Sequence, residues 1–405
     1  MFENIIGQAG TVHALRGELA EGRFPRSALF FGPAYSGKLS TALEAARVLT
    51  CVEGRGEWSC ECASCRMQKE LSHPETVLLG PRYADVEIAA SADALMRSRK
   101  PSTMYLLLRA IRKLTRRFDP WIADADDARV KGMQDRVAQL EELADGLAPG
   151  SELPPARLLA GLLERIVAAA APVAAQVRSE TITIGQVRRL TAWAHLTSSG
   201  ARKIALIENA DRMQDSARNA LLKLLEEPPA SVHFIVLTTR RAAIIPTILS
   251  RLRPYSFQNR TPEEEKDVMT KIFRGEAEGF GGLRGFFLAW REINPEKLAQ
   301  LARRFMELAR GAKDDSVDIV QEMAELLPER KPQRGRSTRE TLASFLEELA
   351  GHLSEILRSG GASTDSLERW TDAVRDAHAR IESYNMQPAA VVEALYYRLR
   401  EEGTG

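Results

Sequence analysis

The stretch from Lys203 to Arg251, KIALIENADRMQDSARNALLKLLEEPPASVHFIVLTTRRAAIIPTILSR, constrains the fold of this chain most. It opens on Ile204-Ala205-Leu206-Ile207, an apolar run without polar interruption. That is the pattern of a strand buried on both faces of a parallel sheet. Acid and amide follow, Glu208-Asn209, with Asp211 just beyond. From Asp215 to Glu227 the apolar residues Ala217, Leu221, Leu222, Leu224 and Leu225 recur among charges at helical spacing. Pro228-Pro229 end the helix, because proline has no N–H and clashes with the preceding turn. A second apolar run, Val232 to Leu237, ends in Thr238-Thr239 and two arginines. Strand, helix and strand within about fifty residues make a βαβ unit, whose parallel strands end on one edge of the sheet. Open α/β sheets bind ligands at that edge. A carboxylate after one strand and a threonine after the next suit a nucleotide phosphate and its metal. On this stretch alone, an ordinary crossover with solvated strand ends fits as well.

Upstream residues favour the phosphate. Ser27 to Phe31 (SALFF) reads as a short buried strand running into Gly32-Pro33-Ala34-Tyr35-Ser36-Gly37-Lys38, the GxxxxGK core of a P-loop. A helix pattern continues through Leu39, Ala42, Ala45 and Val48, giving the strand–loop–helix context that the motif requires. Backbone N–H groups of such a loop surround phosphate oxygens at a helix N-terminus, and Lys38 reaches the outer phosphates. The next position normally carries a Ser or Thr hydroxyl for Mg²⁺, and here it is Leu39. Ser40 stands about 100° further round the helix and does not substitute. Phosphate binding therefore stays open, with the magnesium site impaired.

The chain has 405 residues and a net charge of +1, enough length for more than one core and no global case for nucleic-acid binding. Without a secretory apolar region or an apolar run long enough to span a bilayer, a soluble cytoplasmic protein with no membrane partner is expected. All four cysteines fall between Cys51 and Cys65. Cys51, Cys60, Cys62 and Cys65 suit a structural Zn²⁺ site, with reduced thiols in a loop-rich knob as the alternative. Cys62-x2-Cys65 is a good chelating pair, whereas Cys60-x-Cys62 is tighter than the usual spacing of about two to four.

The residues from His73 to Glu180 are too many for a structureless loop. Met104 to Phe118 reads as an amphipathic helix with Arg109, Arg112, Lys113, Arg116 and Arg117 on its polar side. Further helical patterns span Ala128 to Leu143 and Pro155 to Val177, with a turn at Gly146 to Gly150. The basic run fits a solvated face, or a contact with DNA phosphates or an acidic partner. Only Tyr105 and Phe118 are available for stacking, which weighs against nucleic acid. From Thr261-Pro262-Glu263-Glu264, an N-cap followed by acids, helix patterns run to the end, broken by a Lys/Arg/Pro/Gly-rich linker from Pro328 to Arg336. They predict a helical bundle.

The P-loop, the cysteine knob, His73-Pro74, SETITIGQVRRL, KIALIENADRM, NALLKLLEEPP, FIVLTTR and TILSR stand in the order seen in bacterial clamp-loader AAA+ subunits of DNA polymerase III. The chain most resembles the delta prime branch, with gamma/tau as the near relative. The resemblance is strong over Met1 to His73 and Glu180 to about Arg260, and weak at the C-terminus, where Asn385-Met386-Gln387-Pro388 precede VVEALYYRL. It implies an α/β P-loop AAA+ domain over 1–260, a parallel sheet with flanking helices, carrying the knob at 51–65 and a helical insertion at about 84–178. A small helical lid over 261–292 and an all-α collar over 293–405 would follow. Gly32, Gly37 and Lys38 fall on the family's P-loop and Glu208 on its metal-ligand position. Asn209 stands where an active member carries the carboxylate that orients water. Thr238 falls on sensor 1, and Arg284 on the sensor-2 position of the lid. Arg251, in Ser250-Arg251-Leu252, falls on the arginine that reaches a neighbouring subunit's ATP site. Leu39 and Asn209 remove parts that hydrolysis needs, while Arg251 is intact. That implies a subunit of the polymerase III holoenzyme that is not an ATPase on its own, with ATP or ADP held weakly. Its partners would be gamma/tau and delta in a hetero-oligomeric ring, the sliding clamp and, indirectly, primed DNA. A gamma/tau-like ATPase motor and an unrelated AAA+ module that binds a partner through its insertion are the alternatives.

Overall fold

Five strands, all paired in parallel, form one sheet in the computed structural model, four of them from short apolar runs: β1 (Ser27–Phe31), β2 (Thr76–Leu79), β3 (Lys203–Ile207), β4 (Val232–Thr238) and β5 (Arg253–Ser256). Their order across the sheet is β2-β3-β4-β1-β5. The structure describes residues 1–54, 56–82, 84–123, 128–147, 152–178, 181–197, 202–290, 295–310, 338–359, 363–382 and 386–403. Ser179-Glu180, the 148–150 part of the expected turn, the DSVDIVQEMAELL pattern, the Pro328–Arg336 linker and Asn385 lie outside them. Every residue of β3 and β4 is buried, as expected for strands covered on both faces. β5 lacks that signature. It is an edge strand with one buried residue and a proline, a position where the missing N–H costs no ladder bond.

Helices cover both faces. On one, α1 (Ala9–Ala20) and α2 (Lys38–Thr50) pack with Phe30, Leu206 and Ile235. On the other, α9 (Ile184–His195) and α10 (Asp215–Glu226) cover Leu29, Ala205 and Val236. Between α2 and β2 runs α3 (Ala63–Glu70), which belongs to the cysteine knob. The expected insertion folds as helices with a core of their own: α4 (Asp85–Ser98), α5 (Pro101–Thr115), the single turn α6 (Ala128–Lys131), α7 (Gln134–Asp145) and α8 (Ala156–Arg178).

One expectation needs correction here. The segment Ala156–Val177 has a mean hydropathy of 1.7 and so the length and composition of a membrane span. Its stripe Leu159, Leu163, Ile166, Ala170, Val173 and Val177 is buried against the neighbouring helices α4, α5 and α7. Alanine-rich packing inside a helical subdomain accounts for the same composition.

After β5, Thr261 caps α12 (Pro262–Asp267) in a reciprocal capping box with Glu264, and α13 (Leu283–Ala289) follows. The short single-turn α11 (Pro246–Leu249) lies between β4 and β5. The chain divides into two compact units, Met1–Phe287 and Leu288–Gly405. In the second, α14 (Pro295–Ala309), α15 (Thr338–Ser359), α16 (Thr364–Glu382) and α17 (Pro388–Gly403) enclose an apolar core. Phe305 and Phe345 meet edge to face there at 5.3 Å.

Candidate functional site

The C-terminal ends of β1, β2, β3 and β4 place Gly32, Gly80, Glu208 and Thr238 along one edge of the sheet. Only glycine fits the turn out of β1, since a Cβ on Gly32 would lie 2.2 Å from the Phe257 carbonyl oxygen. Gly37, at φ +91, ends the loop and caps α2. Lys38 folds back onto this loop. Its Nζ donates to the carbonyls of Gly32 at 2.8 Å and Pro33 at 2.5 Å and meets Ser36 Oγ at 3.2 Å. Burial lowers its pKa to about 8, Arg260 adds to that, and Glu208 and Asp211 oppose it. Leu39 is buried in the core of α2 and Ser40 is exposed, so neither supplies the missing hydroxyl.

Arg260 occupies the mouth of the loop. Its guanidinium donates to the Tyr35 carbonyl and, at 3.2 Å, to that of Ile6. One of its nitrogens lies 2.6 Å from where a Cβ on Gly37 would stand. The Tyr35 ring stacks on Phe287 of α13 at 5.4 Å, which sets that helix beside the loop. Arg284 is half-buried on the first turn of α13.

Glu208 is held in an ion network. Its two oxygens accept from Arg82 and, at 2.6 Å, from Arg117 just past the end of α5. Arg82 also reaches Glu87 at 2.5 Å, Lys113 pairs with Glu87, and Arg117 donates to the Gly80 carbonyl. Burial favours the neutral acid, but Lys113 and Arg82 outweigh it and hold the Glu87 carboxyl far below the usual carboxylate range. Burial lowers Lys113 to about 8, still protonated at neutral pH. A metal at Glu208 would compete with both arginines for the carboxylate. Asn209, at φ +51, donates to the Pro81 carbonyl at 2.8 Å. Thr238 donates to Asp211 at 2.7 Å, and Arg240 closes on the same carboxylate at 2.9 Å. The structure thus gathers Lys38, Glu208 and Thr238 at one edge, each already bonded to protein groups.

Lys113 and Arg117 of the basic run belong to this network, so the run is not a solvated face. Besides Lys113 and Arg117, Arg112 faces Glu70, Glu141 and Asp145 at 3.5–3.6 Å. Arg116 donates to the carbonyls of His73 and Thr76 and pairs with Asp119. Sequence reasoning missed Arg82 and Arg260, and named Asp211 without giving it a partner. The excess of cations in α5 was the only available signal, and it pointed outward.

Arg251 follows α11 on the surface, one-third exposed. It donates to Glu226 at 2.8 Å and to the Thr247 carbonyl at 2.8 Å.

In the knob, the sulfurs of Cys51, Cys60, Cys62 and Cys65 all lie within 4.8 Å of one another, and Cys51 and Cys60 are 3.8 Å apart. Tetrahedral zinc with Zn–S bonds of about 2.3 Å sets sulfurs about 3.8 Å apart, so this donor set fits the ion. Burial raises Cys62, but the N–H groups of Cys65 and Val52 bring it down to about 6; burial and the neighbouring thiols push Cys65 up. Arg47 braces the cluster with a 3.3 Å contact to the Cys65 sulfur.

The family model described as DNA polymerase III, delta subunit, matches residues 7–117 and 165–261, just over half of the chain. The chain belongs to the DNA polymerase III delta subunit family. The match covers the P-loop, the knob, the sheet and Arg251. It includes α4 and α5, and 118–164 lies between its two matched segments. Among delta prime relatives, the subunit of Pseudomonas aeruginosa is 39% identical over 71 residues, 17% of this chain and 22% of that protein. That of Haemophilus influenzae is 30% identical over 90 residues, 22% and 27% of the two chains. The gamma/tau subunit of Mycobacterium tuberculosis is 32% identical over 74 residues, 18% and 13%. The chain thus spans about a quarter or less of the length of these family relatives. A gamma subunit-related protein from Thermotoga maritima overlays with a TM-score of 0.27 at 17% identity, covering 55% of this chain and 80% of that one.

Proposed function

We propose that this chain is a delta prime-like clamp-loader subunit that does not turn over ATP at its own P-loop and gives Arg251 to the ATP site of a neighbouring subunit. The ring would contain gamma/tau and delta subunits and would load the sliding clamp on primed DNA in the cytoplasm, with this chain meeting DNA only indirectly. One contrast carries the reading. Both oxygens of Glu208 are taken by arginines while Arg251 stands at the surface. The buried Leu39 and the amide of Asn209 support it, since neither supplies a metal ligand or a water-orienting carboxylate. A cation supplied in trans offsets charge on the transferring phosphoryl, an effect worth about 10³–10⁵ in rate in GTPase systems.

The test is clamp-stimulated ATP turnover and clamp loading by the reconstituted complex. Arg251→Ala is expected to leave assembly intact and to slow both, and Arg251→Lys to rescue poorly because a point charge does not replace a planar guanidinium. Loading at the parental rate by Arg251→Ala would overturn the assignment. The isolated chain is expected to hydrolyse ATP negligibly. Turnover like that of a competent ATPase would point instead to a gamma/tau-like motor.

Cys51, Cys60, Cys62 and Cys65 are proposed to hold one structural Zn²⁺, on the strength of their mutual sulfur distances. Bound zinc would cross-link the end of α2 to the start of α3, and four thiolates leave it no open position for chemistry. Elemental analysis of chelator-free protein should find about one zinc per chain. Metal-free folded protein with four freely titrating thiols would refute this.

A further inference from the structure

The turn that carries Arg251 is fixed from below. Ile248 and Leu252, on either side of it, are buried in the core under the sheet. The Arg251 amide donates to the Ile248 carbonyl at 3.1 Å and closes the turn. What the backbone leaves undecided is the direction of a long side chain with several rotatable bonds. Three contacts decide it, one of them from Nη1 to Ser250 Oγ at 3.3 Å in the same turn. Nη1 donates to the Thr247 carbonyl at 2.8 Å, within the same turn, and Nη2 donates to Glu226 Oε1 at 2.8 Å, on another helix.

Glu226 is the last residue of α10, immediately before Glu227 and the two prolines. A carboxylate there faces the negative end of the helix dipole, where a cation is favoured and an acid is unfavourable. Its pair with Arg251 is 34% and 44% exposed at its two side chains, so its contribution to stability is small. An acid that opposes its own helix and adds little to the fold has one marked consequence, the placement of the guanidinium. We infer that Glu226 is the positioning residue for Arg251, holding it in the direction from which it enters the neighbouring ATP site. The inference rests on the trans-arginine reading above. A guanidinium fixed before the subunits meet loses less rotamer freedom on engagement than a free one. Its partner leaves donors over, since Nε and one Nη2 hydrogen take no part in these contacts.

The experiment uses the full chain reconstituted with the ATPase subunits, with single-turnover hydrolysis and the KM for ATP as readouts. Glu226→Ala should lower the single-turnover rate by about three- to tenfold with KM and assembly unchanged. Glu226→Gln keeps an acceptor oxygen and should retain most of the rate. In the Arg251→Ala background, Glu226→Ala should have no further effect, a result that a merely structural role would not produce. Thermal unfolding of the isolated Glu226→Ala chain should match the parent, as for other exposed changes. If Arg251→Ala is slow while Glu226→Ala turns over at or above the parental rate, the positioning role is wrong and the trans arginine stands. If Glu226→Ala slows the Arg251→Ala background further, Glu226 acts by another route and the inference also fails. If Arg251→Ala itself is unimpaired, both readings fall.

Discussion

Arg47 is 1% exposed at the base of the knob, and all five of its N–H donors are placed. Nε and Nη2 bond Glu44 at 2.9 and 2.6 Å, Nη2 also bonds the Gly56 carbonyl, and Nη1 bonds the Glu57 carbonyl and the Cys65 sulfur. Trp58 lies against both Arg47 and Lys69, at 5.5 and 5.3 Å. Glu44 is wholly buried, so removing the arginine strands a carboxylate. Arg47→Met should therefore lower the unfolding free energy by about 3–5 kcal/mol, measured by urea denaturation. Adding Glu44→Leu should recover most of the loss, because a well-packed apolar pair avoids the desolvation that the ion pair had to overcome. A knob in which the single variant is as stable as the parent would mean that water reaches Glu44.

At the level of elements, α5 is tied to the sheet by charge. Arg117 joins its end to Glu208 after β3, and Lys113 joins its last turns to Glu87 of α4. These groups are largely out of solvent, so salt screens them weakly, unlike surface pairs. Arg117→Ala should lower the unfolding free energy by about 3–5 kcal/mol, since it leaves Glu208 with one partner fewer in a buried site. A double-mutant cycle with Glu208→Gln should return a coupling energy of about 1–3 kcal/mol that persists in high salt. Additive effects of the two substitutions would show that the ends of α5 and β3 are independent.

Over the whole first unit, burial leaves a pH signature. His233 lies 5% exposed near the start of β4, with Nδ1 2.9 Å from the Pro25 carbonyl. A carbonyl only accepts, so Nδ1 carries the proton of a neutral ring. Burial lowers the pKa from 6.5 to about 4, with Arg202 and Arg26 adding to it and the Pro25 bond opposing. Between those values the unfolded chain binds the proton and the folded one does not. Stability is therefore full above about pH 6.5 and is lost as pH falls toward 4, by about 3 kcal/mol from this group. Urea midpoints measured from pH 7.5 down to 4.5 should fall. In His233→Gln, which keeps a donor for Pro25, they should fall less by a corresponding amount. Parallel pH profiles for the two proteins would show that His233 titrates normally in the fold.

Local rules made much of this protein legible from its residues. The P-loop strand, glycines and helix, the strands β3 and β4, the stop at Pro228-Pro229 and the capping box at Thr261 each depend on neighbours within a few positions. The four cysteines stand close together in the sequence, and their sulfurs lie within 4.8 Å of one another. β2 and β5 went unread, being four residues each, one followed by the helical insertion and the other carrying a proline on an edge. What only the tertiary structure decided is where the charges go. Arg82 meets Glu208 across 126 positions, and Arg260 meets Tyr35 across 225. In the sequence the α5 cations fit a solvated face, or a contact with phosphates or an acidic partner, because a pattern along one helix records which residues share a face and not what stands opposite. Packing α4 and α5 beside the sheet supplied the acids. It turned a conspicuous basic run inward, while Arg251, after a short turn, stays at the surface paired with Glu226.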